Sequence, residues 1–163
     1  MGWLQNEKRR HRHECLDCGG PTVPYTYPEA RGRSGEVEFV LRDVPVLRCS
    51  ADLSHRLYMM NMDFDVDLAD AFQTSELVMA RAGGFHTTCC FCGSSLDEPG
   101  PERMTTRAVV DTGKHGTVDV EITGPAVTCE ACGRAQVYNS YDPDADLNTA
   151  YCECFNGMPL IPY

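Results

Sequence analysis

The clearest pattern along the chain is a two-residue alternation of apolar and polar positions that occurs twice. Val37-Glu38-Phe39-Val40-Leu41 and Val118-Asp119-Val120-Glu121-Ile122 both have the period of a half-buried strand. A Pro/Gly-rich stretch precedes each. A turn with proline follows each, at Val44-Pro45 and Gly124-Pro125. A second short strand then runs into a cysteine, as Val46-Leu47-Arg48-Cys49 and as Ala126-Val127-Thr128-Cys129. Helical spacing also appears twice. Leu68, Ala71, Phe72, Val78, Met79 and Ala82 make one apolar face behind Asp67 as N-cap, and Gly83-Gly84 ends it. Leu147, Ala150, Tyr151, Cys154 and Phe155 make a second face behind Asp146, stopped by Asn156-Gly157, and Pro159 and Pro162 keep the tail extended.

The two series overlay with small gaps. Nine residues past Cys49 and past Cys129 stands a tyrosine, Tyr58 and Tyr138. Asp65-Val66-Asp67-Leu68 then matches Asp144-Ala145-Asp146-Leu147. Generic strands would not share their helix starts, so the overlay reads as an internal duplication. The expectation is a small β-rich α+β protein of two tandem units, each a ribbon followed by a helix. They span residues 14–83 and 84–163 behind an arm of residues 1–13, with the boundary at residues 83–88.

The cysteines give these units their chemistry. Cys15-Leu16-Asp17-Cys18-Gly19 opens the first and Cys89-Cys90-Phe91-Cys92-Gly93 the second. Cys89, Cys92, Cys129 and Cys132 form two Cys-x-x-Cys-Gly knuckles separated by hairpin-forming sequence, which is the spacing of a closed, four-thiolate zinc ribbon. Glycine after each pair permits the positive φ that closes the knuckle. The first unit departs from this set. It has Cys15, Cys18 and Cys49, but Asp52 stands where the fourth cysteine belongs, and His55 lies three residues beyond. Histidine is the better chemical ligand and aspartate the better positional match; a degenerate, metal-free site is the third reading. An open fourth position would allow a catalytic zinc. No general base or pocket motif accompanies it, and the His-x-Glu with Pro-Cys-x-x-Cys of zinc deaminases is absent.

Other thiols and carboxylates carry less. Cys90 sits inside a knuckle as an odd thiol. Cys152 and Cys154 point apart if residues 147–156 are helical, Cys154 to the core and Cys152 to its flank. Met59, Met60, Met62 and Met79 read as gap-filling core residues rather than a copper site. Asp63, Asp65, Asp67 and Asp70 lack the glycine and terminal glutamate of an EF-hand loop. No phosphate loop, nucleophile elbow or dinucleotide fingerprint occurs.

Composition narrows the setting. Half of a 163-residue chain builds a thin core, so a staple is expected, and ten cysteines supply it as metal ligands or as disulfides. The polar, basic stretch Met1 to Glu14 is unlike a signal peptide and the cysteines cluster in short-spaced pairs, which favours a reduced, cytoplasmic, metal-bound state. No apolar run is long enough to cross a membrane. The net charge is −10, unevenly spread: residues 1–59 hold nine Lys/Arg against eight Asp/Glu, the rest five against sixteen. An acidic surface repels phosphate backbones, so nucleic-acid or ribosome contact falls to the Lys8–His13 arm alone.

The first unit resembles the zinc-binding domain of MqsA/YgiT-type antitoxins. The resemblance rests on Cys15-Leu16-Asp17-Cys18-Gly19-Gly20, the β-rich middle and Val44-Pro45-Val46-Leu47-Arg48-Cys49, about 40 residues, and extends more loosely to the second unit. It implies a structural zinc and a domain that binds a protein. Asp52 replaces the expected cysteine and no helix-turn-helix half follows, so the ribbon fold carries over and the antitoxin role does not. Together these features point first to a zinc-binding, non-enzymatic adaptor for a protein partner with a basic surface, of an antitoxin-, immunity- or complex-accessory-like kind. The alternatives are a nucleic-acid- or ribosome-associated regulator acting through the arm, a zinc enzyme with an open three-thiolate site, and a metal buffer or redox sensor using Cys90, Cys152 and Cys154.

Overall fold

The computed structural model describes residues 14–59, 77–83, 85–113, 116–140 and 145–160. Antiparallel strands dominate. Strand β1 (Thr22–Ser34) and β2 (Val37–Cys49) form a long hairpin, and β6 (Arg103–Asp111) and β7 (Thr117–Thr128) form another. The two hairpins join through β2 and β7, so one sheet runs β1-β2-β7-β6. Short return strands complete it: β3 (Tyr58–Met59) on β2 and β8 (Ala135–Val137) on β7. A separate two-stranded ribbon pairs β4 (Arg81–Gly83) with β5 (His86–Thr88), across the expected unit boundary. The one helix among the described residues is α1 (Asp146–Asn156).

Three sequence expectations change here. The hairpin turns are not at Val44-Pro45 and Gly124-Pro125; β2 and β7 run straight through both prolines. The Pro/Gly-rich stretches ahead of the alternating runs are themselves largely strand, β1 and β6, paired with β2 and β7. The break in alternation near Pro45 has another cause. Asp43 adopts φ 59°, opposite Pro28, and the pairing skips from Tyr27↔Val44 to Glu29↔Arg42. Pro28 has no N–H to give the ladder, and aspartate is among the few residues that tolerate the left-handed region. Past this point the buried parity shifts: Val37, Phe39 and Leu41 face the core before it, Val44 and Val46 after it.

The first helix is the second change. Val78, Met79 and Ala82 are extended rather than helical: Ala80 N–H donates to the Val137 carbonyl at 2.8 Å, Val137 N–H donates to Val78 at 3.0 Å, and Ala82 lies in β4. Asp67, Leu68, Ala71 and Phe72 lie outside the described residues. Thirdly, α1 forms where expected but is entered through Ala145, with no side-chain cap; Asp146 instead accepts a hydrogen bond from Ser34 Oγ at 2.9 Å. The helix also covers a different ribbon from the one it follows. It lies on β1 and β2, with Tyr151 edge-on to Phe39 at 5.4 Å and Cys154 Sγ 3.3 Å from the Phe39 carbonyl oxygen.

The halves interlock in a symmetric manner. Overlaying Val37 on Val118 carries Phe39 onto Val120 and Leu41 onto Ile122, and the observed pairs Phe39↔Ile122 and Leu41↔Val120 exchange under that operation. Val40↔Glu121 maps onto itself. The connecting tails cross over reciprocally as well: Met79 bridges Val137 and Leu160 bridges Leu57, both in parallel. One core results, built from Phe39, Leu41, Val44, Val46, Val110, Val118, Val120, Ile122, Val137 and the inner face of α1.

Candidate metal centres

Three of the four knuckles share one backbone arrangement. In each, the amide of the first cysteine donates to the carbonyl five residues on: Cys15 to Gly20, Cys89 to Ser94, Cys129 to Arg134, at 2.7 to 3.0 Å. The glycine four residues on donates back to that cysteine's carbonyl: Gly19 to Cys15, Gly93 to Cys89, Gly133 to Cys129. Each glycine has a φ of 71°, 76° or 74°, which an L side chain would resist. The turn thereby aims amides at sulfur, as Gly20 N–H at Cys18 and Phe91 N–H at Cys89 do, both 3.4 Å.

The fourth knuckle, after Cys49, has no such glycine. Asp52 Oδ1 holds the turn by accepting from Ser54 N–H at 2.9 Å and Ser54 Oγ at 2.7 Å, and the loop continues to His55. Arg56 then fixes it to the first knuckle through Asp17, at 2.9 Å. That arginine holds the Asp17 carboxyl below its ordinary range.

These turns bring two groups of four together, the ligand atoms of each within 4.8 Å of one another. One is Cys89, Cys92, Cys129 and Cys132, with Cys89 Sγ 3.7 Å from Cys132 and Cys92 Sγ 3.6 Å from Cys129. The other is Cys15, Cys18, Cys49 and His55, with Cys18 Sγ 3.5 Å from Cys49 and Cys15 Sγ 3.4 Å from His55 Nδ1. Asp52 stands outside that group; its Oδ2 lies 3.6 Å from the opposite ring nitrogen, His55 Nε2. Both groups can hold a metal ion. Sulfurs at these separations are far beyond the roughly 2.05 Å of a disulfide bond.

Charge within the groups is uneven. The backbone amide of Asp52 brings Cys49 down to about 6, with His55 assisting against burial. Burial pushes Cys89 up, but the Gln136 amide and the N–H groups of Cys92 and Phe91 outweigh it and leave it at about 6. Cys132 receives help from the Arg134 amide, yet burial and the three surrounding thiols push it up to about 11. Four sulfurs so close together carry their full negative charge only around a cation.

Two residues that sequence reasoning did not assign support the groups from outside. Gln136, fully buried in β8, donates from Nε2 to Cys89 Sγ at 3.1 Å and accepts the Cys90 amide at 2.8 Å. Tyr58 in β3 does the same in the other half: its hydroxyl accepts the Leu16 amide at 2.6 Å and donates to Cys15 Sγ at 3.7 Å. Tyr58 pairs with Leu47 and Gln136 with Val127, each two residues before a ligand cysteine. The structural counterpart of Tyr58 is thus Gln136 and not Tyr138, because the first loop is two residues longer. The signal in the sequence was a lone glutamine inside the apolar run that follows a knuckle.

The remaining thiols stand apart. Cys90 is half-buried, Cys152 exposed on α1 and Cys154 in the core. Met59 lies in β3 and Met79 in the crossing tail, both against the core. The Lys8–His13 arm, Met60, Met62, and the carboxylates Asp63, Asp65, Asp67 and Asp70 lie outside the described residues. Among the described residues no helix is long and apolar enough to cross a membrane. Compared with family models, curated proteins and solved structures, the chain matches none of them.

Proposed function

We propose that the chain is a zinc-stapled, non-catalytic module that binds a protein partner, and that its halves descend from one duplicated ribbon of the MqsA/YgiT type. The observation that carries this reading is closure: each candidate centre has four protein donors. A tetrahedron with zinc–sulfur legs of about 2.3 Å has edges of about 3.8 Å, and the sulfur pairs stand at 3.5 to 3.7 Å. Thiolate and imidazole donors of this number suit zinc over harder cations. A four-ligand centre leaves no coordination position for a substrate. His55 at the fourth corner of the first centre therefore counts against an open, catalytic zinc there. The shared knuckles and the exchange-symmetric β2–β7 register support the duplication. The surplus of carboxylates suits a partner with a basic surface.

The test is metal analysis followed by cobalt substitution of the full chain. Two zinc ions per chain are expected, and stripping them with a strong chelator under reducing conditions abolishes cooperative unfolding, since each centre supplies on the order of 10 kcal/mol of apparent folding free energy. Cobalt spectra should be those of four-coordinate sites without a water ligand. A metal-free chain that stays cooperatively folded, or an exchangeable water on cobalt, overturns the reading.

A further inference from the structure

We infer that the two centres divide the work: the metal held by Cys89, Cys92, Cys129 and Cys132 is retained for the life of the fold, and the metal held by Cys15, Cys18, Cys49 and His55 is exchangeable. This rests on the zinc reading above and adds a functional difference between two sites that the sequence treats as repeats.

Two independent features separate them. The first is the fourth ligand. Cys132 is a thiolate presented by a knuckle that Gly133 closes with a 2.7 Å hydrogen bond. His55 is a neutral donor, so its centre carries one negative charge fewer, and its backbone N–H reaches the Asp52 carbonyl at only 3.4 Å. The second is the outer support. Gln136 holds Cys89 at 3.1 Å from a fully buried position, whereas the Tyr58 hydroxyl reaches Cys15 at 3.7 Å. Hydrogen-bonded groups behind a ligand commonly govern metal affinity by about 10- to 100-fold.

With zinc held there, exchange would begin at the His55 corner, where a donor atom of an incoming chelator would replace the imidazole while Cys15, Cys18 and Cys49 stayed attached. At the all-thiolate centre each sulfur would instead be held in a knuckle that Gly93 or Gly133 closes.

The experiment uses the full chain loaded with two zinc ions and an excess of EDTA, with zinc release followed over time. Two phases of equal amplitude are expected, at least about tenfold apart in rate. His55→Cys should slow the fast phase by about tenfold or more and leave the slow one unchanged. Gln136→Leu should accelerate only the slow phase. A cadmium-113 titration of wild-type, metal-stripped protein provides a measurement free of any variant: at one cadmium per chain the ion should occupy the four-thiolate centre, and the three-thiolate, one-imidazole signal should appear only with the second. Release of both zinc ions in a single phase, a fast phase indifferent to His55→Cys, or simultaneous filling by cadmium overturns the inference. A chain that binds no metal overturns the zinc reading itself, which keeps the two failures apart.

Discussion

Val40 and Glu121 face each other across β2 and β7 at the point about which the sheet's register is symmetric. Val40 is buried although it is on the face opposite the main core, in register between Arg31 of β1 and Glu121 of β7. Glu121 accepts from Arg107 at 2.6 Å and lies 3.5 Å from Arg42; Arg42 meets Glu29 at 3.0 Å, and Arg31 joins Glu29 to Glu38. Isolated surface pairs contribute little, but this ladder crosses all four long strands and its central carboxylate is 15% exposed. Glu121→Ala should lower stability by about 1–2 kcal/mol, since it leaves two arginines without their shared partner. Urea denaturation would measure it, and the difference from wild type should shrink in 1 M salt.

Gly32 is where β1 and α1 meet most closely. A methyl group at this position would fall 1.8 Å from the Ala150 carbonyl oxygen and 2.6 Å from the Cys154 amide nitrogen, both backbone atoms of the helix. Neither can rotate aside, so the helix must lift. Gly32→Ala should cost about 3 kcal/mol, the upper range for overpacking, and loosen the Phe39–Tyr151 contact. The check is a lowered urea midpoint with the protein's metal content unchanged, because the helix contributes none of the candidate ligands.

The knuckles were legible in the sequence because their chemistry is local: a cysteine, two residues, a second cysteine and a glycine specify the turn and the ligands together. Which strands pair with which was less accessible. The proline at position 45 and the loss of alternation beside it resemble a turn in sequence, yet the same signals arise when Asp43 takes a left-handed conformation opposite Pro28 and the strand continues with its faces exchanged. Val78 and Met79 fit a helical period, but their hydrogen bonds go to Val137, far along the chain, and no periodicity encodes such a partner. His55, Asp52 and an empty site stayed open as readings for the same reason. Only the three-dimensional course of the loop sets imidazole among the sulfurs and the carboxylate behind it.

Cys152 and Cys154, two residues apart on α1, should behave oppositely. Cys152 is exposed, and Cys152→Ser should change stability by less than about 0.5 kcal/mol and leave metal content intact. Cys154 is buried against Phe39, and burial pushes its thiol up to about 12. An acid whose folded value is raised favours the native state only while it stays protonated. The stability it contributes is therefore complete below the unfolded value of about 8.5 and is lost as pH rises toward the folded one, by about 1.4 kcal/mol per unit. Denaturation of wild type and Cys154→Ala between pH 8 and 10 would show it: wild type should fall more steeply with pH. At neutral pH an alkylating reagent should label Cys152 in the native protein and reach Cys154 only after unfolding.

Gly133 isolates the cost of knuckle geometry from the cost of crowding. Its φ is 74°, and an added Cβ would meet nothing within 4 Å. Gly133→Ala therefore introduces backbone strain alone, about 1–2 kcal/mol for a left-handed L residue, while the four ligand cysteines remain. Because this turn positions Cys132, the strain should appear in metal binding: an affinity about 5- to 30-fold weaker at the four-thiolate centre, measured by competition with a calibrated chelator, with the centre at His55 unaffected. Gly133→Asn should recover most of the loss, since asparagine enters the left-handed region more readily than alanine. Equal losses for alanine and asparagine would mean that the knuckle is held by the sulfurs and not by its backbone turn.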